Sequence, residues 1–202
     1  MMIHYFLLFQ VVFSDESTIS VLDDRVQTVR RRPGEEFEQE CLKKTIKHSQ
    51  KIMVWGAISV HGTSRLKIVD GMMNQLKYID VLQNRLLPQT REWFGENPWI
   101  FQQDSAPCHT AQSVKMWCRE NDVKLLPWPG NSPDMNPIKE LWSILKNEIH
   151  KVPLTTKHAL IERLIYVWFH NDKIKNFCRT LITDMPKRVK ALKTAKGRQT
   201  KY

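Results

Sequence analysis

YFLLFQVVF, residues 5–13, followed by SDES at 14–17, is the stretch that decides how the chain is read. A near-continuous apolar run of this length is what a central strand needs when both of its faces are covered. The run is far too short to span a membrane. It also lacks the basic flank and small-residue cleavage site of a secretory leader. Residues 5–14 are therefore expected to form a first strand that delivers Asp15 at its carboxyl end.

Working outward, residues 18–51 are polar and irregular, with Arg30, Arg31 and Arg32 before Pro33-Gly34, which suggests a loop-rich excursion. Strand-like segments follow at 52–59 (IMVWGAIS) and 65–69, separated by His61-Gly62. Leu76, Ile79, Leu82, Leu86 and Leu87 recur at helical spacing within 74–94. A short strand at 99–102 closes on Gln103-Asp104. A helix at 110–121 and a strand at 123–126 are expected next. Residues 127–137 (PWPGNSPDMNP) hold four prolines and a glycine, which makes a rigid loop. Asn136 is a good N-cap, Pro137 suits the first turn, and Ile138, Leu141, Trp142, Leu145 and Ile149 form one apolar stripe. A helix over 157–170 and a basic helical stretch over 173–195, interrupted at Pro186, complete the chain. The alternation implies an α/β fold with a mixed five-stranded sheet flanked by helices. Two regions are distinguished: a domain over 1–172 and a basic helical extension over 173–202.

The chain carries a formal net charge of +10, and residues 173–202 hold ten Lys/Arg against the single acid Asp184. Such a balance favours a polyanionic partner, although a solvated basic tail gives the same composition. Cys41, Cys108, Cys118 and Cys178 form no CxxC pair and suit neither a zinc site nor a disulfide scaffold. They are read as reduced residues of an intracellular protein.

Asp15 and Asp104 both follow expected strands. Alone, an acid after a strand is more often a turn or cap residue than a ligand. Together on neighbouring strands they would repel unless a divalent cation lay between them. Two such ions can activate a water and stabilise the leaving oxygen of a phosphodiester.

FSDES at 13–17, IMVWGAIS at 52–59, FQQDSAPCHTA at 101–111, LPWPGNSPDMNPI at 126–138 and LWSILK at 141–146 resemble the block motifs of Tc/mariner transposases of the Tc type. DMPKRVKALKTAKGRQTKY at 184–202 is similar to that family's C-terminal end. The resemblance runs in order from about residue 9 to 202. It implies an RNase H-like fold and a DDE acid triad holding two Mg²⁺ or Mn²⁺ ions. It also implies double-stranded DNA as partner, with nicking at transposon ends and joining at a TA target, in the nucleus. Asp15 and Asp104 match the first two acids and the implied metal ligands. His109 matches a histidine near the second acid and is assigned to DNA contact, with Arg30, Arg31, Arg32, Lys187, Arg188, Lys190 and Lys193.

The third acid departs from the pattern. Thirty-four residues separate it from the second in the family, and that position here is Lys139, in Pro137-Ile138-Lys139-Glu140-Leu141-Trp142. A lysine ammonium repels cations, and near a helix N-terminus it faces the positive end of the dipole. Glu140 is the nearest alternative acid. At about 100° per residue it falls nearly opposite the buried stripe, so it is expected to face solvent. Asp134 is a weaker candidate, being placed as a local turn former. Cleavage is therefore expected to be weak or absent. The alternative is an inactive DNA-binding relic or a co-opted interaction module. Two further departures are noted. Residues 47–51 lack the glycines of the family's clamp, which bears on a homodimer. The helix-turn-helix region that normally precedes this domain is also missing, and the chain is expected to be N-terminally truncated.

Overall fold

The computed structural model describes residues 8–22, 50–128 and 135–195. Arg30, Arg31, Arg32, Cys41, the 47–51 strip except Gln50 and Lys51, and Asp134 lie outside the described residues.

Five strands form one mixed sheet: β1 (Val11–Ser20), β2 (Lys51–Ser59), β3 (Gly62–Thr63), β4 (Lys67–Val69) and β5 (Ile100–Gln102). The order is β3-β2-β1-β5, with β4 also paired to β2. β1 runs antiparallel to β2 from Phe13↔Ile58 to Ser20↔Lys51, and parallel to β5 over Val11↔Ile100 to Phe13↔Gln102. The strand expected at 123–126 contributes a single parallel bridge, Phe101↔Leu125.

The first strand is central, but it starts later and runs further than its apolar residues suggest. Asp15 is therefore mid-strand, paired with Gly56, rather than at a strand end. The polar half of β1 stays extended because β2 supplies ladder partners as far as Ser20. The buried Ser14 hydroxyl is satisfied by donating to the Gln102 carbonyl of β5 at 3.0 Å.

Helices cover both faces. One side carries α1 (Gln75–Val81), a π-helical turn (Leu82–Leu86) and α2 (Leu87–Phe94), which continue one another, then the four-residue α3 (Pro107–Thr110) and α4 (Gln112–Glu120). The other carries α5 (Pro137–Ile149), α6 (Lys157–His170), α7 (Asp172–Thr183) and α8 (Met185–Thr194). Alternation along β1 feeds both cores. Val11, Phe13 and Ile19 join the cluster of α5–α8, whereas Val12 joins that of α1–α4. No packing break marks residue 172. Ile174, Cys178, Leu181 and Ile182 of α7 belong to the same core as β1 and α5, so the basic stretch begins inside the domain. Pro186 sits in the first turn of α8, which explains the interruption there. Cys118 and Cys178 are buried free thiols.

Packing leaves no room for a side chain at Gly56. Trp142 of α5 and Trp168 of α6 stack with ring centroids 5.1 Å apart, and the Trp168 indole N–H donates to the Ser64 carbonyl at 2.7 Å. A Cβ on Gly56 would lie 2.9 Å from Trp142 and 3.0 Å from Trp168. The strand thus needs glycine for close approach, not for a special backbone angle. Gly56→Ala is expected to destabilise the fold by about 1–3 kcal/mol through displacement of the ring pair, read as a lower urea midpoint at unchanged m-value.

Candidate active site

Asp15 and Glu16 are neighbours on β1 and so point to opposite faces of the sheet. Each is met by a cation, and the two halves of the site grow from that division.

On the α5 face, Asn136 fixes the geometry. Its carbonyl oxygen accepts from the Ile138 N–H at the helix start, and its amide donates to the Ser14 carbonyl at 3.0 Å. The first turn of α5 is thereby tied to β1 next to Asp15. Lys139 then lands on Asp15, with Nζ 3.0 and 3.1 Å from its two carboxylate oxygens. Asp15 is 8% exposed. Burial pushes its pKa up to about 6, against the lowering pull of Lys139, and the nearby Glu16 and Asp104 charges add to the rise.

Glu140 points away from the core stripe, as the helical angle implies, with 42% of its side chain exposed, but it is not left alone there. It is half-buried and forms an ion pair with Arg188 of α8, whose side chain is 5% exposed. Val189 and Leu192 of the basic helix pack against the core that α5 shares, and Arg188 next to Val189 supplies a partner that a helical wheel of α5 alone does not contain. Two consequences follow. Glu140 is engaged by Arg188, whereas its neighbour Lys139 meets Asp15. Arg188, expected at a phosphate, is buried against a carboxylate instead. Lys187 is exposed and pairs with Asp184 at 2.5 Å; Lys190 and Lys193 are exposed.

On the other face, His109 sits at the centre of a cage. Asp104, two residues beyond β5, lies 2.6 Å from its Nδ1, and Glu16 lies 3.2 Å from its Nε2. The Ala106 N–H also donates to Asp104, at 3.0 Å. The Tyr78 ring lies against the imidazole with centroids 4.0 Å apart; its hydroxyl donates to Gln103, whose amide donates to the His109 carbonyl. Burial alone would lower the His109 pKa. Hydrogen bonds to Asp104 and Glu16, with the charges of both, outweigh it and raise the value to about 9. The reciprocal bond from His109 holds Asp104 below the usual carboxylate range. His109 is thus an imidazolium at neutral pH, donating from both nitrogens to two acids and lying against an aromatic face.

The sequence singled out Asp15, Asp104, Lys139 and His109, and the structure brings these four around the junction of β1 and β5. Glu16, Tyr78 and Gln103 were missed. Glu16 was legible in principle, because strand alternation next to an acid always offers the opposite face. Tyr78 and Gln103 reach the cage only through tertiary packing.

The donor set does not match a two-metal centre as it stands. Both oxygens of Asp15 are taken by an ammonium, and Asp104 is held by an imidazolium. Among the described residues, no group of three or more His, Cys, Asp or Glu side chains could hold a metal ion.

An acid within β1 and another just beyond the neighbouring β5, in a mixed five-stranded sheet flanked by helices, are the arrangement of the RNase H-like fold. The chain belongs to the DDE superfamily endonuclease family, whose model matches residues 10–161. It is 35% identical over 193 residues to the Tcb1 transposase of Caenorhabditis briggsae, covering 95% of this chain and 70% of that one. It is 30% identical, with the same coverage, to the Tc1 transposase of Caenorhabditis elegans. The fold matches the Mos1 mariner paired-end complex with Mn at TM-score 0.82 and 19% identity, covering 96% of this chain and 57% of that one. The Mos1 catalytic domain matches at TM-score 0.74 and 18% identity, with 85% of that chain covered.

His109 carries a pH signature. Its raised pKa contributes stability that is complete below its unfolded value near 6.5 and fades as pH rises through about 9. His109→Gln is expected to cost on the order of 2 kcal/mol at pH 6. The melting-temperature gap to the wild type should narrow steadily up to pH 10; a gap independent of pH would contradict the imidazolium assignment.

Proposed function

We propose that the chain is a Tc-type transposase catalytic domain that binds duplex DNA in the nucleus and whose strand cleavage is held down by Lys139. The observation that carries the reading is the Lys139 ammonium within hydrogen-bond distance of both Asp15 oxygens. A site that handles phosphodiesters with Mg²⁺ or Mn²⁺ needs free carboxylate oxygens. Here a fixed single charge occupies the first of them. Glu140, paired with Arg188, offers no replacement. Solved complexes of Mos1 transposase contain a left transposon end in one case and Mg in another, which supports DNA and a divalent ion as the ligands to test. A homodimer and a TA target belong to the same proposal, and a second metal ion is expected only where an acid is restored at position 139. A DNA-binding module without cleavage is the second reading, favoured by the same ion pair.

Mg²⁺- and Mn²⁺-dependent nicking of a terminal-repeat duplex, wild type beside Lys139→Glu, separates them. Lys139→Glu is expected to nick at least about a hundredfold faster, since it removes a repelling charge and restores a ligand. Equal nicking by the two proteins would sink the role given to Lys139. Nicking by neither favours the binding module.

The exposed lysines of α8 provide an independent measurement. Replacing Lys187, Lys190 and Lys193 with Ala should weaken duplex binding. It should also flatten the dependence of log affinity on log salt by about 0.9 for each phosphate no longer neutralised. An unchanged slope returns these residues to the solvated surface.

A further inference from the structure

We propose that a cavity at the far end of the sheet from Asp15 is a second DNA site, shaped for one nucleotide of a single strand. It lies between the β2–β3 turn and the α6–α7 junction, with a volume of about 500 Å³, and His61, Thr63, Phe169, Lys175, Asn176 and Arg179 line it. The proposal rests on the nucleic-acid reading above but uses none of the residues of that site.

Three features point to this ligand. The first is charge. Lys175 and Arg179 are one helical turn apart on α7, so both project from one face, while Ile174, Cys178 and Leu181 hold the other face in the core. Among the described residues neither meets a carboxylate, and no acid lines the cavity. Lys173, two residues before Lys175, is by contrast paired to Glu148. Unpaired cations converging on a hollow suit a phosphodiester.

The second feature is apolar. Phe169 lines the cavity and is 37% exposed, a large ring left facing a polar hollow. Stacking on such a ring holds the base of a single strand irrespective of sequence. A duplex keeps its base faces inside the stack and presents only edges in its grooves, so it cannot use the ring.

The third is preorganisation. His61 is held edge-on to Phe94 with centroids 5.1 Å apart and stacked over Trp93 at 6.5 Å, and its backbone N–H donates to the Ser59 hydroxyl. The wall at the turn is thus set before any ligand arrives. The register separates this cavity from the acids. Ile58 pairs with Phe13, so His61 lies about five residues along the sheet from Asp15, roughly 15 Å away.

Fluorescence anisotropy of the full chain with a labelled mixed-sequence 12-mer, single-stranded and as a duplex, tests the assignment. The double variant Lys175→Ala/Arg179→Ala is compared with Lys115→Ala/Arg119→Ala, an exposed pair at the same spacing on α4. Phe169→Ala is measured alongside, and melting temperatures verify folding. The cavity pair is expected to weaken single-strand binding at least about tenfold and to reduce its salt slope by about 1.4, against less than twofold for the α4 pair. Phe169→Ala should weaken single-strand binding at least about fivefold and leave duplex binding unchanged. Equal losses in the two double variants, or an unmoved single-strand affinity in Phe169→Ala, would overturn the proposal. Duplex binding without single-strand binding in the wild type would overturn it while leaving the transposase reading intact. Loss of all DNA binding in the wild type would remove both.

Discussion

The strand Val11–Ser20 pairs with β2 from Phe13 to Ser20 and with β5 over Val11–Phe13, and most of it is buried; each later feature follows from that position. An unpaired backbone group in such a position would be costly, so the ladder to β2 continues through residues that have little strand character of their own. The same continuity carries two acids into the middle of a sheet. Strand alternation then sends them to opposite sides, where each needs a counter-charge. Lys139 and His109 are the two answers, and they come from elements far from β1, and from each other, along the chain.

These counter-charges satisfy the two acids from within the fold. A carboxylate buried as deeply as Asp15 is unfavourable unless compensated, and the ammonium supplies part of that compensation without any bound ion. Asp104 is similarly satisfied by an imidazolium and a backbone N–H. The arrangement satisfies its acids from within, whereas a centre built for catalysis by cations leaves carboxylate oxygens in mutual repulsion until the ions arrive. The stacked tryptophans over Gly56 and the Asn136 bridge to Ser14 hold the start of α5 against β1, which places the Lys139 backbone within reach of Asp15.

Much of the fold was legible from periodicity. The helices Pro137–Ile149 and Lys157–His170 appear where their apolar stripes and caps place them, because cap chemistry and 3.6-residue spacing are local signals. The bounds of β1 were not legible, since polar residues enter that strand through pairing rather than propensity. The acids, Lys139 and His109 could be named in advance from motif order. The partners of those residues could not. Glu140 was assigned to solvent by an angle that is correct within α5. The Arg188 guanidinium that meets it belongs to a helix forty-eight residues on, and a single-helix wheel carries no information about what packs beside it.

The position of Lys139 also bears on how such a chain ages. Functional sites commonly lower the stability of the proteins that carry them, and a substitution that relieves the strain while ending the chemistry raises stability. On the reading proposed for Lys139, a lysine in place of an acid at a buried carboxylate centre has that character. The folded domain, its basic helix tied to α5 by the Arg188–Glu140 ion pair, would then depend less on bound ions than a form with an acid at position 139. A sequence freed from cutting DNA would then shed its activity well before it lost its shape.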